Sequence, residues 1–222
     1  MAIRIYGIPF STPFRAVAMT ADVLGVKYEY IKANPMEGDT QKKDFLALNP
    51  QHNIPVMEHG DYVLNESRAI AGYLAQQFDP NHKLYPRDPK IHSKINQRLF
   101  FDTNVFSSRL HDIALPMILR RKEPTHKRLE LMEEATSWAN DMIKTTGYVA
   151  DTDHLTIADL CFLSNYSVLQ ATEIIPLTSY KEMDEWATRI SSQVPNYKNV
   201  NQKGASDMAK LYKTSLESSG TL

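Results

Sequence analysis

A hydroxyl-bearing segment, Ser11-Thr12-Pro13, stands where a short strand pattern gives way to a helix pattern. Proline is favoured at the first position of a helix, and a serine just before it is favoured as the N-cap, where it contributes about 1 kcal/mol. The same place attracts anions, because the first N–H groups of a helix are unpaired and the helix dipole is positive there. The segment alone favours the cap, and no His-Asp relay or nucleophile elbow indicates an attacking serine. A hydroxyl that donates to a bound anion is the alternative.

A second segment of interest places Pro55 directly before a strand pattern that begins at Val56. A proline there cannot donate to the sheet, and it belongs either to an ordinary loop or to a tight turn with a cis bond. The second arrangement would leave the main chain of Ile54 free to pair with an extended peptide. His52 is either a solvated loop residue or a donor to a carboxylate. Without a second motif, the loop interpretation is favoured for both Pro55 and His52.

The third helix pattern begins with Asn65-Glu66-Ser67-Arg68. Ser67 and the unpaired N–H groups at the helix start could bind a carboxylate, and the Glu66 carboxylate could bind an ammonium group. Together they suit the head group of an amino acid, which carries both charges. The competing interpretation is capping by Asn65 or Ser67, with Glu66 complementing the helix dipole.

The elements that must position these residues follow a regular order. Residues 1–80 read as strand, helix, strand, helix, strand, strand, helix, which is typical of a thioredoxin-like α/β domain. Residues 81–89 are rich in proline and polar side chains and show no periodicity, which predicts a linker. Residues 90–222 have helical periodicity alone, so the sequence predicts an all-α C-terminal domain. Pro116 is expected to kink or end the first long helix of that domain.

Two features of the helical half are predicted to be structural. Thr156-Ile157-Ala158-Asp159 has the form of a capping box and opens a helix that is apolar on most sides. Cys161, the only cysteine, lies in this helix, so we expect a buried and unreactive thiol. The long first helix carries more apolar residues than one buried face requires, so most should be core and a subset could line a pocket. These residues are Phe100, Phe101, Val105, Phe106, Leu110, Ile113, Leu115 and Met117.

The composition excludes several classes of function. The 25 Lys and Arg residues nearly balance the 26 Asp and Glu residues, so no basic surplus indicates a nucleic-acid partner. No window approaches the 18 or more apolar residues that a membrane-spanning helix needs, and the N-terminus lacks the features of a secretory signal. These observations predict a cytoplasmic protein without a membrane partner. The histidines are scattered, the cysteine is single and no glycine-rich phosphate loop is present, so no metal site is expected.

The order and spacing of the motifs make the chain resemble the cytosolic glutathione S-transferases over nearly its whole length, and the insect delta and epsilon classes in particular. The motifs that carry the resemblance are Ser11-x-Pro13-x-Arg15, Asn49-Pro50-Gln51-His52-x-Ile54-Pro55, Glu66-Ser67-Arg68-Ala69-Ile70, Leu84-Tyr85-Pro86-x-Asp88-Pro89, Leu155-Thr156-Ile157-Ala158-Asp159 and Asn201-Gln202-Lys203-Gly204. The resemblance implies a detoxifying transferase that uses glutathione as co-substrate, needs no further cofactor, and attacks small hydrophobic electrophiles.

The resemblance also assigns roles to residues. Ser11 would hydrogen-bond the glutathione sulfur and stabilise its thiolate, since a free thiol with a pKa of about 8.5 is mostly protonated at neutral pH. His52 would bind the glycine carboxylate of glutathione. Ile54, before cis-Pro55, would pair with the cysteinyl main chain. The γ-glutamyl end would be bound by Glu66, Ser67 and Arg68. The electrophile would lie over Phe106, Leu110, Ile113 and Met117, with Ile8 and Phe10 as neighbours.

The resemblance further implies a homodimer whose active sites lie close to the subunit interface. In that dimer the edge of the first domain that carries Arg68 would face the partner's long helix, with Asp102 as a polar contact across the interface. Two departures from the family pattern stand out. Thr40 occupies the position of a loop histidine found in many delta-class sequences, so glutathione affinity should rest more on His52. Polar residues interrupt the apolar stretch of the long helix, so substrate preference does not carry over; these residues are Arg109, His111 and Asp112.

Two other functions compete with conjugation. One is a carrier of hydrophobic ligands with weak or no catalysis, which the retention of Ser11 together with Glu66 and Ser67 disfavours. The other is a glutathione-dependent reductase, which we set aside because such relatives carry cysteine in place of Ser11. The sequence leaves open the physiological electrophile, any peroxidase or isomerase activity, the choice between the delta and epsilon classes, and the choice between a detoxifying and a biosynthetic role.

Overall fold

The computed structural model describes residues 2–219. Its first part contains four strands, β1 Ile3–Gly7, β2 Tyr28–Lys32, β3 Val56–His59 and β4 Tyr62–Asn65. They form one mixed sheet in the order β2-β1-β3-β4, in which β1 runs parallel to β2 and the pairs β1–β3 and β3–β4 are antiparallel. The hairpin between β3 and β4 turns at Gly60, whose φ of 67° is readily adopted by glycine.

Helices cover both faces of this sheet. They are α1 Thr12–Val23, α2 Lys43–Leu48 and α3 Ser67–Phe78, with two short 3₁₀ turns at Pro35–Glu37 and Asp39–Gln41. Successive side chains of a strand point to opposite faces. Accordingly, Ile5 of β1 packs in a core with α1 and α3, whereas its neighbour Tyr6 packs against Phe45 of α2. The predicted thioredoxin-like α/β domain is confirmed.

The second part of the chain is helical. Within the described residues, neither a helix nor a strand lies between Phe78 and Pro89, and only helices follow. The α-helices are α4 Pro89–Phe101, α5 Ser108–Arg120, α6 His126–Ile143, α7 Ile157–Thr172, α8 Lys181–Gln193 and α9 Lys203–Glu217. Helix α7 is central, because it contacts α1 of the first domain as well as α4, α8 and α9. The predicted all-α domain is confirmed.

A π-helical turn, Asp102–Ser107, joins α4 to α5 without a break, so one long helix runs from Pro89 to Arg120. A π turn contains more residues than an α turn, and it therefore shifts the register of the helix faces on its two sides. A second π turn, Lys198–Gln202, leads in the same way into α9.

Of the two outcomes expected at Pro116, a kink or the end of the long helix, the helix does not end there. The helix continues past it to Arg120 and stops at Arg121, which has a left-handed backbone with a φ of 50°. The N–H groups after the proline are still paired, since Arg121 donates to the carbonyl of Met117 at 2.9 Å and Lys122 donates to that of Pro116 at 3.1 Å. The last turn of the helix, which follows Pro116, therefore ends with ordinary helix-end hydrogen bonds.

The buried helix α7 is held at its start by the expected capping box. Asp159 accepts hydrogen bonds from the Thr156 N–H at 3.0 Å, from the Val149 N–H at 3.0 Å and from the Trp186 indole at 2.9 Å. Cys161 is fully buried one turn into this helix, and its burial raises the pKa of the thiol to about 12. The thiol is therefore protonated and screened from solvent, which suits a structural residue.

Candidate active site

A cavity of about 390 Å³ lies between the first domain and the long helix. Four short stretches of chain line it: Pro13 of α1; Asn53, Ile54 and Pro55 before β3; Glu66, Ser67 and Arg68 at the start of α3; and Thr103, Ser107, Ser108, His111 and Asp112 of the long helix. The cavity thus gathers most of the residues that the sequence assigned to glutathione. Ser11 and His52 lie outside this set.

The segment before β3 presents an unpaired main chain to the cavity. The bond between Ile54 and Pro55 is cis, as the sequence suggested for a tight turn. Pro55 is buried and Ile54 is half-buried. Among residues 2–219, none hydrogen-bonds the main-chain N–H or carbonyl of Ile54. These two groups are available to an extended peptide.

The start of α3 combines a strained residue with an uncapped helix end. Glu66 has a φ of 68°, which is uncommon for a residue with a side chain and tends to occur at functional sites. Its carboxylate is exposed and makes no capping hydrogen bond to the helix. Ser67 is buried, and its hydroxyl accepts a hydrogen bond from Arg68 at 2.8 Å. A helix N-terminus in this condition can receive a carboxylate, with Glu66 beside it for an ammonium group.

Arg68 is paired within the chain, which corrects the expected contact across a dimer interface. Its Nε donates to Oδ2 of Asp102 at 3.1 Å, and a second guanidinium nitrogen contacts the same oxygen. Asp102 is buried, and its other carboxylate oxygen accepts from Asn165 of α7 at 2.9 Å. Because Asp102 points into its own subunit, it is not a surface contact. Arg68 instead links the hydroxyl of Ser67 to the core of the helical domain.

Ser11 occupies the N-cap of α1, in agreement with the capping interpretation. Its hydroxyl accepts from the Phe14 N–H at 3.4 Å, a long hydrogen bond, and the residue is half-buried. Pro13, two residues later, lies in the cavity wall. His52 is exposed and has a left-handed φ of 47°. It lies next to Asn53, which is part of the lining.

Sequence reasoning gave no role to Arg15, which is fully buried behind Ser11. Its guanidinium donates to the carbonyls of Pro9 at 3.2 Å and Phe10 at 2.9 Å, the two residues just before Ser11. It also donates to the carbonyl of Ser164 at 2.8 Å in α7. Burial lowers the pKa of Arg15 to about 10. The sequence signal for this buried role was a single arginine among the apolar residues of α1.

The apolar residues assigned to the electrophile do not line the cavity. Four of them, Phe106, Leu110, Ile113 and Met117, are fully buried in the core of the helical domain, where Phe106 packs against Phe162 with ring centroids 4.4 Å apart. Ile8 and Phe10 are partly buried and also lie outside the lining. The face of the long helix that does line the cavity carries polar side chains instead.

The electrostatics of the cavity follow from its acidic and basic groups. The positive charge of Arg68 faces the buried carboxylate of Asp102, and Glu66 and Asp112 add two further carboxylates. The pKa of His111 is lowered by burial and by Arg68, so its imidazole is neutral at neutral pH. In the described part of the chain, no three His, Cys, Asp or Glu side chains are grouped to hold a metal ion. Nor does any helix there have the length and apolarity to cross a membrane.

Comparison with known proteins agrees with this geometry. A family model described as the glutathione S-transferase N-terminal domain matches residues 1–76. Glutathione S-transferase D7 of Anopheles gambiae is 32% identical over 215 residues, which are 96% of this chain and 98% of the relative.

Solved structures are similar over the same extent. A delta-class glutathione transferase of Nilaparvata lugens matches with a TM-score of 0.92 and 32% identity, over 96% of this chain and 99% of its own. An epsilon-class glutathione S-transferase of Musca domestica matches with a TM-score of 0.90 and 27% identity, over 96% of this chain and 98% of its own. With this identity along nearly the whole of both chains, the protein is an enzyme of the glutathione S-transferase family, similar to the insect delta and epsilon classes.

Proposed function

We propose that this chain joins glutathione, through its sulfur, to small electrophiles, with the Ser11 hydroxyl stabilising the thiolate. One observation supports the proposal above all others. The unpaired main chain of Ile54, the uncapped start of α3 at Ser67, and Pro13 beside the Ser11 cap all border one cavity. Its volume of about 390 Å³ lies within the usual range of ligand sites, about 300–1,000 Å³.

Glutathione fits this cavity as an extended peptide. Its cysteinyl main chain would pair with the N–H and carbonyl of Ile54. Its γ-glutamyl end would place a carboxylate at the N-terminus of α3, near Ser67, and its ammonium group beside Glu66. The glycine carboxylate would then reach toward the exposed His52. We infer that Arg68, which is engaged with Asp102, holds Ser67 in place for this contact.

Ser11 is suited to donate to sulfur. Among residues 2–219 its oxygen accepts only a long hydrogen bond from Phe14, and the hydroxyl proton is left to donate to an anion. The start of α1 adds a favourable dipole for negative charge. Lowering the pKa of a thiol that is ordinarily about 8.5 increases the reactive thiolate at neutral pH. The thiolate then attacks the electrophilic carbon, which the cavity holds close to it.

We further infer a cytoplasmic homodimer that acts on foreign or reactive compounds. Large apolar side chains are exposed on α4 and β4, where a second subunit would cover them: Phe100 is 67% exposed and Tyr62 is 45% exposed. An obligate interface of this kind buries upwards of about 2,000 Å² in total. Light scattering at micromolar concentration tests the assembly, and full activity at a mass near 25.3 kDa would contradict it.

A conjugation assay with glutathione and 1-chloro-2,4-dinitrobenzene tests the function directly. We expect turnover by the wild type and at least a tenfold loss in Ser11→Ala, with glutathione affinity largely kept; one oxyanion donor is worth about 2.7–4 kcal/mol, and backbone N–H groups would compensate in part. Thr12→Val is the matched control, because it removes the neighbouring buried hydroxyl, which has no hydrogen-bond partner among the described residues. If Ser11→Ala left the thiol pKa of bound glutathione and the rate of conjugation unchanged, Ser11 would be a helix cap without a role in catalysis. If the wild type bound glutathione without any turnover, the alternative function, a carrier of hydrophobic ligands, would be favoured.

A further inference from the structure

The turn between α5 and α6 concentrates positive charge. Six of the nine residues from Arg120 to Arg128 are basic, and Glu123 is the single acidic residue among them. The 25 Lys and Arg residues of the whole chain are nearly balanced by 26 Asp and Glu residues, so the overall charge does not reveal this local surplus. We call the six basic residues the basic tip; they are Arg120, Arg121, Lys122, His126, Lys127 and Arg128.

The basic tip projects into solvent. From Leu119 to Lys127 every residue is exposed except Pro124, which is half-buried. Residues 121–125 form neither a helix nor a strand, and no residue of the tip lines the cavity between the two domains. An extended peptide usually binds along the edge of a sheet or in a groove. A protruding turn between two helices is better suited to a broad surface.

Most of these positive charges have no partner within the protein. Among residues 2–219, four of the six basic side chains form no ion pair and no hydrogen bond, namely those of Arg120, Arg121, Lys122 and Arg128. The carboxylate of Glu123 accepts a hydrogen bond from Ser219 near the end of the chain, at 3.2 Å. Lys127 lies 3.2 Å from Glu130 in an exposed pair. The tip can therefore receive external anions without first breaking a buried ion pair.

Helix stability does not explain two of the charges. Lys127 and Arg128 lie in the first turn of α6, where the helix dipole is positive and where no acidic residue is present. A positive side chain in that position weakens a helix, whereas an anion held there stabilises it. Arg120 differs, because it lies in the last turn of α5, where the dipole favours a cation. The start of α6 is therefore arranged for an anion that comes from outside the chain.

Exposed leucine side chains adjoin the basic tip. Leu119, directly before Arg120, is 58% exposed, and Leu115, four residues earlier on the same side of the helix, is 37% exposed. Apolar side chains next to basic ones match the boundary of a lipid bilayer, where charged headgroups meet the acyl chains. A soluble acidic partner would use the charges but would leave Leu119 in water.

We propose that the basic tip docks on a membrane surface that carries anionic phospholipids, with Leu119 entering the boundary between headgroups and acyl chains. Clusters of about four to eight Lys and Arg residues are attracted to such surfaces by the negative potential of the headgroups. Guanidinium groups add paired hydrogen bonds to phosphate oxygens. This contact is peripheral and needs no membrane-spanning helix. It goes beyond the proposed conjugation and does not depend on it.

The test is sedimentation of the full chain with lipid vesicles. One set contains phosphatidylserine and phosphatidylcholine in a ratio of about 1 to 2, and the other contains phosphatidylcholine alone. The charge variant combines Lys122→Glu with Lys127→Glu. The second change places a carboxylate at a helix start, which the dipole favours, so unfolding is not expected. Circular dichroism checks the fold of every variant.

Matched controls alter the same properties elsewhere. Lys43→Glu combined with Lys181→Glu changes the net charge equally, and both residues are exposed first residues of helices, in α2 and α8. Leu119→Ser tests the apolar contact, and Met36→Ser is its control, because Met36 is 65% exposed in the first domain.

We expect the wild type to sediment with the phosphatidylserine vesicles and to stay in solution with phosphatidylcholine alone. Binding should weaken as salt rises from about 0.1 M to about 1 M, because the screening length falls from about 10 Å to about 3 Å. The charge variant should lower the partition coefficient at least about tenfold, and Leu119→Ser at least about threefold. Both controls should keep the wild-type coefficient.

Three results would overturn the docking. They are no sedimentation of the wild type with phosphatidylserine vesicles, an unchanged coefficient in the charge variant, and an equal loss in the control pair of lysines. Retention of the wild type on immobilised poly-glutamate, without vesicle binding, would assign the basic tip to an acidic protein instead. An unchanged coefficient in Leu119→Ser would overturn the entry of Leu119 into the bilayer.

Discussion

The guanidinium of Arg15 donates to Oδ1 of Asn201 across 2.8 Å, although the two residues are 186 positions apart in sequence. Both are fully buried. Asn201 in turn donates to the hydroxyl of Ser167 at 2.9 Å. No carboxylate is among the hydrogen-bond partners of Arg15 in the described residues, so its guanidinium donates to carbonyl and amide oxygens. The segment before Ser11 is thereby fixed to the helical domain from behind.

Arg15→Ala should destabilise the protein strongly. The substitution removes the donor from buried acceptors at Ser164 and Asn201 and from the part-buried carbonyl of Phe10, and an unsatisfied buried group costs about 1–3 kcal/mol. We expect the free energy of unfolding to fall by roughly 3 kcal/mol or more, measured by urea denaturation. Arg87→Ala, at an exposed loop position, should stay within about 0.5 kcal/mol of wild type. Equal midpoints for the two variants would contradict this account of Arg15.

Gly204→Ala should impair thiol activation from a distance. A Cβ at this position in α9 would lie 2.1 Å from the carbonyl oxygen of Pro9 and 2.9 Å from Cδ of Arg15, so the segment that carries Ser11 must move. If Ser11 stabilises the thiolate, the pKa of bound glutathione should rise and turnover should fall. Absorbance titration of the thiolate measures the first effect. Ser206→Ala, exposed on the same helix, is the control, and a wild-type thiol pKa in Gly204→Ala would refute the link.

Ser67→Ala should weaken glutathione binding more than it alters the thiol pKa, because in the proposed binding mode Ser67 holds the end of the ligand away from the sulfur. The loss of a hydrogen bond to a charged group costs about 1.5–3 kcal/mol, so the KM for glutathione should rise tenfold or more. Glu66→Ala should act in the same direction. Calorimetry measures the glutathione affinity of the two variants, and Ser93→Ala on the exposed surface of α4 is the control. Unchanged binding in both variants would remove these residues from the site.

Cys161 should make stability depend on pH in the alkaline range. Its thiol has a pKa of about 12 in the folded state because of burial, against about 8.5 when unfolded. Above about pH 8.5 the unfolded chain therefore binds fewer protons, and the free energy of unfolding falls as pH rises toward 12, by at most about 1.4 kcal/mol per pH unit. Cys161→Ala lacks this contribution. Denaturation at pH 7.5, 8.5 and 9.5 should give the wild type the steeper decline, and parallel declines would contradict the assignment.

The features that the sequence predicted correctly are those with local signals. The capping box of Thr156 and Asp159 lies at the start of α7, as its spacing indicated. The hairpin turn at Gly60 and the cap formed by Ser11 are also local, because a few neighbouring residues determine each one. The residues from Ile54 to Ser67 that short motifs assigned to glutathione border one cavity, and their role in binding stays a prediction.

The errors concern contacts that no local pattern specifies. The apolar spacing of Phe106 to Met117 indicated a buried face, but not whether a ligand or the protein core buries it, and the π turn before it changes the register of the helix faces. Asp102 was placed toward a second subunit because the family resemblance implied a partner facing the long helix, whereas its contacts with Arg68 and Asn165 lie within the subunit and are distant in sequence.

The anchoring of the Ser11 segment has a consequence for how the enzyme matures. Ribosomes add roughly 5–20 residues per second, so Asn201 is made about 10 to 40 seconds after Arg15, given their separation of 186 positions. During that interval the glutathione-binding domain exists as nascent chain without the groups that hold Pro9 and Arg15 in place. If Ser11 activates the thiol as proposed, that activation begins only when the helical domain has been synthesised and packed, because the N-terminal domain alone lacks the contacts that hold the Ser11 segment in place.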